Sequence, residues 1–72
     1  MNSKDFGQIV RKARRGLGLR QDELAGAAGV GLRFVVELEA GKPTAQLGKA
    51  LAVLDALGCT ITIDAAPPKS AR

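Results

Sequence analysis

No histidine, tryptophan or tyrosine occurs in the 72 residues of this chain, and cysteine occurs once, at Cys59. The first absence removes imidazole acid–base chemistry, and together with the second it removes zinc knuckles and any internal disulfide framework. A reducing cytosol is the simplest compartment for such a chain. The only aromatics are Phe6 and Phe34, too few to build a stacking platform for single-stranded RNA. No apolar run approaches the roughly 18 residues of a membrane span, and the N-terminus has no signal-peptide h-region. Glycines never fall at phosphate-loop spacing, and the acids are scattered or paired, so neither an enzyme nor a cofactor or metal is expected.

What is present is basic and helical. A chain of 72 residues is one domain near the lower size limit for a self-sufficient core, so an oligomer is expected. Net charge is +4 with a pI near 9.9. Residues 1–20 hold six of the eleven basic side chains (Lys4, Arg11, Lys12, Arg14, Arg15, Arg20) against one acid, Asp5. That bias points to a polyanionic partner, although a solvated basic helix face reads the same way.

Asp5 and Gln8 stand as a D-x-x-Q capping box, and Phe6, Ile9, Val10, Ala13 and Leu17 recur at helical spacing up to a stop at Gly18. A second helix is expected from Gln21 to Ala28, with Asp22 and Glu23 in its first turn and Leu24, Ala25 and Ala28 inward. Gly29 ends it and Val30 plugs the turn. A third helix then covers residues 32 to 40, closed by Gly41, so the pair reads as a helix-turn-helix. Lys42 and Pro43 break the chain and Thr44 is a plausible cap. Leu47, Ala50, Leu51, Leu54 and Leu57 mark the buried stripe of a fourth helix.

Beyond Gly58 the period becomes two. Cys59, Ile61 and Ile63 alternate with Thr60, Thr62 and Asp64, the pattern of a strand with one apolar face. A solitary strand leaves its ladder unpaired, which predicts antiparallel pairing with the same strand of a second copy in a two-fold homodimer. Residues 1–64 are therefore one domain ending in a dimerisation strand of Cys59, Thr60, Ile61, Thr62 and Ile63, and residues 65–72 read as a disordered tail.

On the third helix, Val35 and Leu38 fall together and share the core with Val30. Arg33, Val36 and Glu37 then face outward, with Leu32 and Phe34 on opposite borders. A helix so held presents its N-terminal residues to a major groove. Arg33 can bond O6 and N7 of guanine, and Val36, Leu32 or Phe34 can meet a thymine methyl. Glu37 either accepts from a cytosine amine or holds Arg33 one turn away. Phe34 either touches DNA or packs on a neighbouring helix.

The stretch GLRQDELAGAAGVGLRFVVELEAGK, residues 18–42, with RKARRGLG before it, resembles the XRE or lambda-repressor-like helix-turn-helix family. The resemblance implies a mainly α fold: four helices plus one C-terminal β-strand pairing across the homodimer. It implies that Gln21 touches the DNA backbone, that Leu32, Arg33, Val36 and Glu37 occupy recognition positions, and that Arg14 and Glu39 form a structural salt bridge. Arg20 departs from the family's usual cap at the start of the second helix and can reach a phosphate instead. Lys42 joins the DNA-binding set. Within the family, RFVVELEAGKPTAQLGKALAVLDALG followed by one strand is similar to HipB-type antitoxins. That likeness implies a cytoplasmic, nucleoid-associated repressor of its own operon, binding a palindromic operator in double-stranded DNA and a HipA-type serine/threonine kinase toxin. The alternatives are a stand-alone XRE-type regulator without a toxin, and a protein-interaction module for which DNA is secondary.

Overall fold

The computed structural model describes residues 1–65. Four helices follow one another: α1 (Ser3–Gly16), α2 (Gln21–Ala28), α3 (Leu32–Glu39) and α4 (Leu47–Ala56). The tail expected from residue 65 lies, from residue 66 onward, outside the described residues.

Each helix stops in the same way. Gly18, Gly29, Gly41 and Gly58 adopt φ of +71°, +72°, +89° and +71°. After each, the next amide donates to the carbonyl five residues back: Leu19 to Arg14, Val30 to Ala25, Lys42 to Glu37 and Cys59 to Leu54. This 6→1 bond satisfies an orphan carbonyl at the helix end and needs a left-handed residue, which glycine supplies without a Cβ clash. The glycines read as stops in the sequence are therefore the stops in the fold.

The starts are less regular. Asn2, not Asp5, caps α1: its Oδ1 accepts from the Asp5 amide at 2.8 Å, which puts Asp5 at the third helical position. Thr44 does not cap α4; Gln46 holds that position without a side-chain bond. Arg20 precedes α2, and because a guanidinium has no acceptor, only half a capping box can form. Glu23 Oε1 accepts from the Arg20 amide at 2.8 Å.

The core is Val10, Leu24, Ala25, Val35, Leu38, Ala50, Val53, Leu54 and Leu57. Leu24, Val10, Val35 and Val53 are sealed from solvent, and each such side chain contributes on the order of 1.5–3 kcal/mol. α3 packs on both α1 and α2, and α2 also packs on α4. The close approach of α1 to α3 depends on Gly7. A Cβ there would meet the Leu38 carbonyl oxygen and stand 2.7 Å from that of Glu39.

Two expectations about burial fail together. Leu47 and Leu51, placed in the buried stripe of α4, are 72% and 44% exposed, while Val53 takes a core position. Ile9 of α1 and Leu17, which follows its last turn, are likewise exposed. Leu47 and Leu51 share a flank of α4 with buried Leu54 at 100° per residue, but beyond Leu54 the described residues leave that flank uncovered. The expected strand also does not form: residues 59–65 adopt no regular structure, and no ladder partner exists among the described residues. Strand geometry is held by inter-strand hydrogen bonds, which a single segment cannot make.

Candidate nucleic-acid interface

The outer face of α3 owes nothing to the core. Val35 and Leu38 are buried, while Leu32 and Val36 are exposed and the Arg33 side chain is 90% exposed. Phe34 is half-buried against the core, with the Lys49 ammonium 5.8 Å from its ring centroid. Its packing role is thereby accounted for, although part of the ring stays accessible.

Glu37 is shared between two cations. Lys42 Nζ lies 3.1 Å from Oε1 and Arg33 Nε lies 3.4 Å from Oε2. The hydrogen bond from Lys42 is the larger influence holding the Glu37 carboxyl below its ordinary pKa, and Arg33 adds to it. Arg33 is thus restrained at one edge only, and its guanidinium tip stays in solvent. A Lys42–Glu37 pair five residues apart is not a helical i,i+4 pair. It exists because the chain turns back at Gly41, a geometry no spacing rule announced.

At the start of α2, Arg20 folds onto its own acids. Its Nε lies 3.1 Å from Asp22 Oδ1 and its Nη2 3.8 Å from Glu23 Oε2. The Arg20 hydrogen bond holds the Asp22 carboxyl below its ordinary pKa, and the same bond raises that of Arg20. Exposed pairs of this kind are weak, so Arg20 can exchange Asp22 for a phosphate at small cost.

Behind this surface lies a buried ionic cluster. Arg14 Nε and Nη2 donate to Glu39 Oε2 and Oε1 at 2.6 and 3.0 Å, with side chains only 10% and 4% exposed. Arg14 Nη1 donates to the Leu19 carbonyl at 2.8 Å, and Gln21 Nε2 donates to Glu39 Oε1 at 3.1 Å. No buried side-chain polar atom among the described residues lacks a partner. The hydrogen bond to Glu39 raises the Arg14 pKa, outweighing the burial that opposes its charge. The cluster ties the end of α1, the start of α2 and the end of α3 together, and so fixes the angle at which α3 is presented.

The sequence-derived DNA-facing residues therefore divide by position. Leu32, Arg33, Val36, Glu37 and Lys42 share α3 and the turn that ends it. Arg20 and Gln21 sit at the start of α2. Gln21 alone has its side chain engaged inward. Among the described residues no group of acids and thiol is arranged to hold a metal ion, and no helix is long and apolar enough to cross a membrane.

Comparison with known proteins agrees with this geometry. Residues 10–63, three quarters of the chain, match the helix-turn-helix family model HTH_3. The chain is 68% identical over 59 residues to an uncharacterized HTH-type transcriptional regulator, y4mF, of Sinorhizobium fredii; the match covers 82% of this chain and 78% of that protein. With four helices, the turn at Gly29–Gly31 and an α3 whose outer face is free of the core, the chain belongs to the XRE-like helix-turn-helix family.

Proposed function

We propose that this helix-turn-helix transcriptional regulator binds a palindromic operator in duplex DNA as a homodimer and represses its own operon as a HipB-type antitoxin. The observation that carries the DNA reading is the outer face of α3. Arg33 projects into solvent beside exposed Leu32 and Val36, at the N-terminal half of a helix tied to α1 by the buried Arg14–Glu39 pair. Arg33 reads a guanine edge, Leu32 and Val36 meet thymine methyls, and Arg20, Gln21 and Lys42 align the protein on phosphates. Glu37 holds Arg33 and Lys42 in place.

The uncovered apolar flank supports the dimer. Met1, Phe6, Ile9 and Leu54 line a groove of about 930 Å³ with the 59–64 segment, and Leu47 and Leu51 continue the apolar flank along α4. A second copy whose own segment 59–64 pairs antiparallel along Cys59–Ile63 covers this surface and supplies the missing ladder. Two recognition helices so related address half-sites about 34 Å apart, one turn of DNA. Cytoplasmic residence follows from that role.

The antitoxin role rests on the likeness of residues 33–58 to HipB-type chains, and the partner it calls for is a HipA-type serine/threonine kinase. The decisive experiment titrates the purified chain against the duplex upstream of its own reading frame and against a scrambled duplex, at two salt concentrations. A preference of about a hundredfold that persists as salt weakens both supports autoregulation. Equal, salt-sensitive binding to both contradicts it. Coexpression with the kinase-like product of an adjoining reading frame then separates antitoxin from stand-alone regulator: a stable complex supports the first, and independent migration the second.

A further inference from the structure

Gln21 reaches inward, yet it stands at the first position of α2 and is only half-buried. Its Nε2 donates one N–H to Glu39 Oε1 at 3.1 Å. A primary amide has two N–H donors, and the bond to Glu39 is the only hydrogen bond of this side chain among the described residues. The second N–H has no partner among the described residues and stands at the N-terminal end of α2, where the helix dipole favours an anion.

We propose that Glu39 is a positioning residue for DNA binding: it holds the Gln21 amide so that the second N–H is presented to a backbone phosphate. This inference rests on the DNA reading above. The charges permit it because Arg14 neutralises Glu39 through two bonds of 2.6 and 3.0 Å, so the carboxylate orients the amide without repelling a phosphate. The neighbouring acids Asp22 and Glu23 are turned onto Arg20, which leaves the neutral amide as a pre-aligned donor at this corner. A side chain already held in one rotamer gives up less freedom on binding.

The test begins with the unmodified full chain labelled with ¹⁵N. Relaxation of the Gln21 side-chain amide, compared with exposed Gln8 and Gln46, reports the hold before DNA is present. Restricted motion at Gln21 alone is expected, and mobility equal to the other two overturns the proposal. On adding the upstream duplex, one Gln21 N–H proton shifts and the other keeps its position; two unmoved protons, or two that collapse together, overturn it.

Affinities for the same duplex then complete a cycle of wild type, Q21A, the paired R14M/E39M variant and the triple variant. Q21A weakens binding on the order of tenfold in the native background with an unchanged salt slope, since a neutral donor releases no counterion. In the methionine background the same change costs at most about twofold. An equal loss in both backgrounds overturns the role of Glu39 while leaving DNA binding intact. A wild-type chain without preference for the upstream duplex overturns the DNA reading and this inference with it. If the methionine pair does not fold, the amide measurements on the wild type decide.

Discussion

Replacing a helical glycine by alanine ordinarily stabilises a helix by about 1 kcal/mol, and this chain allows that rule to be set against packing in two nearby places. Gly26 lies within α2 with open space where a Cβ would be. Gly26→Ala should therefore gain close to the full propensity term, raising Tm by about 4–8 °C for a domain of this size. Gly7 lies within α1, and its added Cβ would meet the Leu38 carbonyl oxygen, 2.7 Å from the Glu39 oxygen and 3.0 Å from its carbonyl carbon. These are backbone atoms of α3 and cannot swing aside as a side-chain tip would. Overpacking of this kind costs about 1–3 kcal/mol, and a clash with fixed carbonyls belongs at the upper end. After subtracting the propensity gain, Gly7→Ala should lose about 1–2 kcal/mol, lowering Tm by about 5–15 °C. Thermal unfolding followed by circular dichroism at one fixed protein concentration measures both, since association makes Tm concentration-dependent. Gly7→Ala stabilising as much as Gly26→Ala would refute the docking of α1 on the end of α3.

Removing one partner of the buried ion pair, as in Glu39→Ala, should cost about 3–5 kcal/mol by leaving Arg14 uncompensated, and urea denaturation would read the loss as a lower midpoint. Ile61→Asp should shift the chain to monomer in equilibrium sedimentation, and a wild type that is monomeric at micromolar concentration would end the dimer reading. Arg33→Ala should weaken operator binding by about 1–3 kcal/mol and relax selection at one base pair, measured on duplexes varied position by position. The Glu37 carboxyl, held low chiefly by Lys42, is charged in the folded state to lower pH than in the unfolded chain. Its stabilising share is therefore fully present above the unfolded pKa and is lost as pH falls through the folded value. Lys42→Ala should raise the Glu37 pKa more than Arg33→Ala does in a carboxyl NMR titration, and the reverse order would contradict the geometry.

Helices α2 and α3 were legible almost to the residue because local signals coincide there. Acids in the first turn of α2, left-handed glycines after both helices and the Val35/Leu38 spacing all agree. Helix α1 misled at its start because two capping frames overlap: N-x-x-D and D-x-x-Q both satisfy the pattern, and Asn2 takes the cap. Helix α4 misled for a different reason. Leu54 is buried while Leu47 and Leu51 on the same flank stay exposed among the described residues, and periodicity reports which residues are apolar without reporting what covers them. The segment 59–64 has the alternation of a strand but no ladder partner within the described residues, and alternation alone does not supply one. In the interface, Arg33 follows from the orientation of Val35 and Leu38. The Gln21–Glu39 bond does not, because Glu39 was already assigned to Arg14 and a carboxylate oxygen that accepts twice leaves no trace in spacing.

The recognition role of α3 requires that this helix, rather than the basic surface as a whole, meet DNA. The most direct measurement maps ¹⁵N and side-chain chemical-shift changes on the full chain as the upstream duplex is added at near-physiological salt. The largest changes are predicted at Gln21, Leu32, Arg33, Val36 and Lys42, with small ones at Gln8, Arg11, Lys12 and Arg15 on the outer face of α1. Changes concentrated on that α1 face, with the α3 resonances unmoved, would show that charge alone is being sensed and would contradict the recognition role of α3.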